Sequence, residues 1–104
     1  MPTPTQAKPI SITATNAHSG ASVIAYNRTT GERKVLGTVS GGKALAEINN
    51  LDSGWTIGDV VEFRINGAYF GAGTVTLTSA AKVPQNLTIT MTQSTTTNAP
   101  AISF

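Results

Sequence analysis

The sequence predicts an all-β domain: a single seven-stranded, immunoglobulin-like antiparallel β-sandwich with extended N- and C-terminal arms. Three observations lead there. Apolar and polar residues alternate at period two along much of the chain. Turn-forming clusters of Gly, Asn, Asp and Ser recur about every eight to twelve residues. The 104 residues, with 10 glycines and no cysteine, fit one domain that can bury a core without disulfide staples.

Taken in order, Ile10-Ser11-Ile12-Thr13-Ala14-Thr15 alternates apolar with hydroxyl and predicts the first strand. The cluster Asn16 to Gly20 ends it. Ser22 to Asn27 predicts the second strand, and Lys34 to Val39 the third. Thr29-Thr30-Gly31-Glu32 joins these two as a hairpin, with Gly31 free to adopt positive φ. Ser40-Gly41-Gly42 turns the chain into a fourth strand, Ala44 to Ile48, which stops at Asn49-Asn50.

A longer connection, Leu51 to Asp59, leads to Val60-Val61-Glu62-Phe63-Arg64-Ile65, the fifth strand. Asn66-Gly67 follows it and predicts a type I′ hairpin, which requires positive φ at both positions. Tyr69 to Thr78 is then the partner strand. Gly71 and Gly73 within it point to a bulge or a close backbone approach. Leu87 to Thr92 is the seventh strand. The expected inward set is Ile10, Ile12, Val23, Val35, Ile48, Val61, Phe63, Ile65, Val75, Leu77, Leu87, Ile89 and Met91. Threonines on the other face favour extended backbone without adding much apolar surface.

The strand pattern divides the chain into an N-terminal arm (1–8), the sandwich (9–92) and a C-terminal tail (93–104). Both ends lack strand periodicity. The first carries Pro2 and Pro4, suited to an extended polyproline-like path along a neighbour. The second ends in Pro100, Ile102 and Phe104, whose apolar side chains suit a neighbour's groove or an added strand at a sheet edge. These five, with Tyr69 and Phe70, are the expected partner-binding residues.

The order of features is also similar to a known class. Gly20-Ala21-Ser22-Val23 runs into Tyr26-Asn27-Arg28-Thr29-Thr30-Gly31. Gly54-Trp55-Thr56-Ile57-Gly58-Asp59-Val60-Val61 and Asn66-Gly67-Ala68-Tyr69-Phe70-Gly71 follow. Over residues 9–92 this resembles the immunoglobulin-like and carboxypeptidase-regulatory-like sandwich modules of phage virion proteins and prokaryotic surface proteins. The resemblance implies that the Trp-x-x-Gly-Asp stretch leads into a central strand, with Trp55 closing one end of the core. It implies no catalytic or cofactor residues.

Composition narrows the function classes. Charged residues are 12% of the chain and the net charge is +2, about half the charged share of an ordinary soluble domain. The seven basic residues are scattered and only Arg33 and Lys34 adjoin, so a phosphate-binding stripe is not expected, and nucleic acid is not an expected partner. No run approaches the length of a membrane span, and a membrane partner is not expected. The N-terminus has neither the charged nor the apolar region of a secretory signal, which favours a virion location over the cell surface or extracellular space.

The residues suited to catalysis or metal binding are few and scattered. His18, the single histidine, sits in a turn beside Ser19, without the orienting motif of a nucleophilic serine. The five acids are Glu32, Glu47, Asp52, Asp59 and Glu62. Asn49, Asn50, Asp52, Ser53 and Asp59 form a thin version of a calcium loop, and turn capping explains the same residues more simply. Asn27-Arg28-Thr29 and Asn86-Leu87-Thr88 match a glycosylation sequon without a route to use it. Trp55, Tyr69 and Phe70 are either core plugs or a sugar-stacking or partner-binding patch, and alternation turns one of the last two inward.

The expectation is therefore a non-enzymatic virion structural protein, a capsid decoration, cement or fibre component. It requires no cofactor and no metal, and attaches through its arms to other subunits, as a homo-oligomer or bound to an assembly. The alternatives are an extracellular carbohydrate- or protein-binding module of a prokaryotic surface protein and a self-assembling filament subunit.

Overall fold

The computed structural model describes residues 7–78 and 84–93. They form eight strands in two sheets, with no α-helix among them. The strands are β1 (Pro9–Thr13), β2 (Ser22–Asn27), β3 (Arg33–Thr38), β4 (Lys43–Glu47), β5 (Val60–Ile65), β6 (Tyr69–Thr76), β7 (Gln85–Thr88) and β8 (Thr92–Gln93). The smaller sheet has the order β4-β1-β7, and the larger β3-β2-β5-β6-β8. All pairings are antiparallel except β1 with β7, which is parallel. The expectation of an all-antiparallel arrangement is corrected there. The arms at 1–6 and 94–104, with Pro2, Pro4, Pro100, Ile102 and Phe104, lie outside the described residues.

The period-two pattern places Ile10 and Ile12 of β1, Val23 and Ala25 of β2, and Val61, Phe63 and Ile65 of β5 in one shared core, all fully buried. Trp55 and Leu51, from the loop before β5, are buried in the same core. Burying side chains of this size stabilises by about 1.5–3 kcal/mol each.

Three expectations change. Val35 lies 53% exposed. A bulge in β3 sets Ile24 opposite Val35 and Val23 opposite Gly37, making Leu36 the extra residue. Leu36 packs on the core instead, and Val35 follows Ile24 to the outer face. The Asn66-Gly67 hairpin forms, but not as a type I′ turn. Gly67 has φ 153° while Asn66 stays out of the positive region, and the first ladder pair is Ile65 with Gly71.

The expected seventh strand is two strands. β7 runs beside β1, and the chain then crosses at 89–91 to pair as β8 with Tyr69 and Phe70. The glycines of β6 admit this crossing. A Cβ on Gly71 would stand 2.6 Å from the Thr90 carbonyl oxygen, and one on Gly73 3.1 Å from the Ile89 side chain. The ladder from Val60–Thr76 to Ile65–Gly71 is regular, so close approach, not a bulge, accounts for these glycines. Val75, Leu87 and Met91 consequently flank the core, half-buried.

Candidate functional site

Alternation along β2 and β5 that sends Val23, Ala25, Val61, Phe63 and Ile65 inward sends Ile24, Tyr26, Glu62 and Arg64 to the outer face of the larger sheet. The register aligns them in two rows across the strands. One row runs Val35, Ile24, Arg64, Ala72, and the next runs Arg33, Tyr26, Glu62, Thr74. Phe70 continues the outer face of β6 at its start, 39% exposed, opposite Thr92.

Two adjoining shallow concavities lie on this face. The first, about 310 Å³, is lined by Ile24, Tyr26, Arg33, Glu62, Arg64 and Asn66. The second, about 380 Å³, shares Arg64 and Asn66 and extends past Phe70 to Thr90 and Thr92. The Arg33 guanidinium lies 5.0 Å from the centre of the Tyr26 ring, close enough for a cation–π contact. Arg64 donates to the Glu62 carboxylate at 2.9 Å. This exposed pair contributes at most about 1 kcal/mol to folding. The face thus combines two arginine forks, one carboxylate and half-covered apolar side chains.

The other polar constellation is buried and holds loops. Asn27 is fully buried and Asp59 nearly so. The Asn27 amide donates to Asp59 Oδ2 at 3.1 Å, and the same oxygen accepts the Thr56 N–H at 3.0 Å. Asn27 Oδ1 accepts the N–H groups of Thr29 and Thr30 at 2.9 and 3.1 Å. Thr29 Oγ1 in turn accepts the Val60 N–H. Asn27 therefore fixes both the β2–β3 turn and the lead-in to β5.

Glu32 holds the neighbouring loop by accepting the N–H groups of Asp52 and Ser53 and the Ser53 hydroxyl. Burial pushes its carboxyl up, but the Ser53 and Asp52 hydrogen bonds and the Lys34 cation outweigh this and hold it below the ordinary glutamate range. Lys34 pairs with Asp52 at 3.1 Å and donates to the Asn50 carbonyl. The thin calcium loop is therefore divided: Asp59 turns toward Asn27, and Asp52 toward Lys34.

Of the expected site residues inside the described region, Phe70 reaches the outer-face concavity. Tyr69 has the inward parity of β6 and is half-buried. Trp55 is 4% exposed within the core, with Lys8 Nζ 5.8 Å from its ring centre, so no patch of Trp55 with Phe70 is offered to solvent. His18 is exposed in its turn. Sequence reasoning missed Ile24, Tyr26, Arg33 and Arg64. A signal was present: Val23-Ile24-Ala25-Tyr26 is apolar at both parities, whereas Ser11 and Thr13 of β1 and Asn86 and Thr88 of β7 put hydroxyl or amide groups at outward positions. In comparison with known proteins, no family model matches the chain, and neither a curated protein nor a solved structure matches it.

Proposed function

We propose that this chain is a non-enzymatic structural module, an immunoglobulin-like sandwich that attaches to a larger protein assembly. The setting its low charge favours is a virion, where it would serve as a decoration, cement or fibre component. The observation that carries the reading is the outer face of the larger sheet. There Ile24, Tyr26, Val35 and Phe70 lie among arginines on a rigid ladder, a mixture typical of protein-docking surfaces. The carboxylates favour the same reading: Glu32, Asp52, Asp59 and Glu62 are each engaged with a loop or a cation. In this reading the arms at 1–8 and 93–104 extend the contact to neighbouring subunits, including further copies of the chain.

A second reading, a carbohydrate-binding module, is favoured by one specific observation, the exposed Phe70 ring beside Asn66 and Arg64. Co-sedimentation of the chain with particles assembled in its source cells separates the two. The attachment reading expects the wild-type chain in the particle pellet and the Arg64→Ala, Phe70→Ala double variant in the supernatant. A chain absent from particles but retarded by neutral polysaccharide in affinity electrophoresis would establish the carbohydrate reading instead.

A further inference from the structure

We propose that the outer-face groove recognises an extended acidic segment of a partner protein, with Arg33 and Arg64 gripping its carboxylates and Val35, Ile24 and Phe70 receiving its apolar side chains. The inference deepens the attachment reading and rests on it for the partner's being a protein.

Charge is the first argument. The groove holds two guanidinium groups against one carboxylate, Glu62. Arg64 meets Glu62 through Nη2 at 2.9 Å, which leaves most of its five donors directed elsewhere. Arg33 lies against the Tyr26 ring and makes no hydrogen bond to the described residues through its side chain. A guanidinium held beside an aromatic ring by a cation–π contact retains its planar fork for a carboxylate, and it loses less freedom on binding than a free side chain.

Geometry is the second. The row Val35, Ile24, Arg64, Ala72 crosses four adjacent strands, a span of about 14 Å at roughly 4.8 Å per strand gap. An extended peptide covers that distance in about four to five residues at roughly 3.3 Å each. Val35 and Arg33 sit on the edge strand β3, Ile24 follows on β2, Arg64 on β5 and Phe70 beyond on β6, so apolar and cationic contacts recur along the crossing and match a segment in which acidic and apolar residues alternate. Tyr26 favours a peptide over a sugar, because its ring already carries Arg33 and is not offered for stacking on a pyranose face.

The test is NMR titration of the full-length chain with a seven-residue peptide of alternating phenylalanine and glutamate, and in parallel with hyaluronate. The expected result is movement of the Ile24, Tyr26 and Arg64 amides and the Arg33 Nε–Hε signal with the peptide, weakening as salt rises. Arg33→Ala and Arg64→Ala should each weaken binding about tenfold, the loss expected for one charge-assisted contact. Arg33→Lys should not restore it, because an ammonium lacks the fork. The inference is overturned if the peptide leaves these signals unmoved, if the alanine variants bind as tightly as wild type, or if hyaluronate alone moves them. A chain that pellets with particles yet ignores the peptide would retain the attachment reading and lose this one. Peptide binding in the groove without particle association would do the reverse.

Discussion

The Asn27–Asp59 knot under the β2–β3 turn and the Arg33–Tyr26–Arg64 groove diverge from adjacent residues of β2: Asn27 is buried, and its chain neighbour Tyr26 lies on the outer face. In the knot the Asn27 side chain is held at both its amide nitrogen and its oxygen, Asp59 Oδ2 accepts twice, and the aromatic residue nearby, Trp55, is buried. In the groove the cations retain unused donors, and the aromatic at its edge, Phe70, faces water. The same classes of residue thus serve stability in one and leave binding capacity in the other. Burial decides which, because an unsatisfied polar group costs far more when water cannot reach it.

This contrast can be broken most severely at Trp55. Trp55→Ala removes the largest aromatic from the core and should cost about 3–5 kcal/mol, seen as a collapse of the urea midpoint. Phe70→Ala, across the sheet and 39% exposed, should stay within about 0.5 kcal/mol. Equal losses at the two positions would refute the division between a stabilising and a binding face.

Asn27→Ala comes next. It strips Asp59 of its amide donor and Thr29 and Thr30 of their acceptor, at an expected cost of about 2–3 kcal/mol. Hydrogen exchange should show the β2–β3 turn and the start of β5 losing protection together, since one side chain ties both.

The smallest effect depends on pH. The Glu32 carboxyl is held below its ordinary range in the folded chain, so the folded state favours its ionised form. Its contribution is complete above the unfolded glutamate value of about 4.3 and disappears as pH falls through the lower folded value. Glu32→Gln should therefore be less stable than wild type near neutral pH, and the two urea midpoints should converge as the solution is acidified below about pH 4. A gap that widened on acidification would contradict the Asp52 and Ser53 hydrogen bonds as its source.

Local pattern made most of the strands legible. Ile10 and Ile12, or Val61, Phe63 and Ile65, could be assigned to a core because side chains alternate faces at every residue of an extended chain. Gly31 could be assigned its positive φ, observed at 87°, because the turn chemistry around it is local. Val35 could not be placed. A single extra residue, Leu36, reverses the parity of everything before it in that strand, and nothing in Lys34-Val35-Leu36-Gly37 marks where the bulge falls. The break of the last strand at 89–91 was equally hidden, although its imprint, Gly71 and Gly73, was visible as a demand for close approach without the segment that makes it.

The groove was legible only in fragments. Phe70 was a candidate through its aromatic ring, and Arg33 appeared only as half of an adjacent basic pair. Their assembly with Tyr26 and Arg64 depends on register across β3, β2, β5 and β6, which joins residues far apart in the chain, such as Ile24 and Arg64. The sequence by itself determined the fold class, the absence of disulfides, most strand positions and much of the core, all of which follow from period-two burial and turn chemistry. Only the tertiary structure decided which outward residues share a surface, which acids are consumed in holding loops, and that Trp55 and Phe70 lie on opposite sides of the line between core and solvent. The physical reason is that alternation is a property of one strand, whereas pairing and burial are properties of several strands packed together.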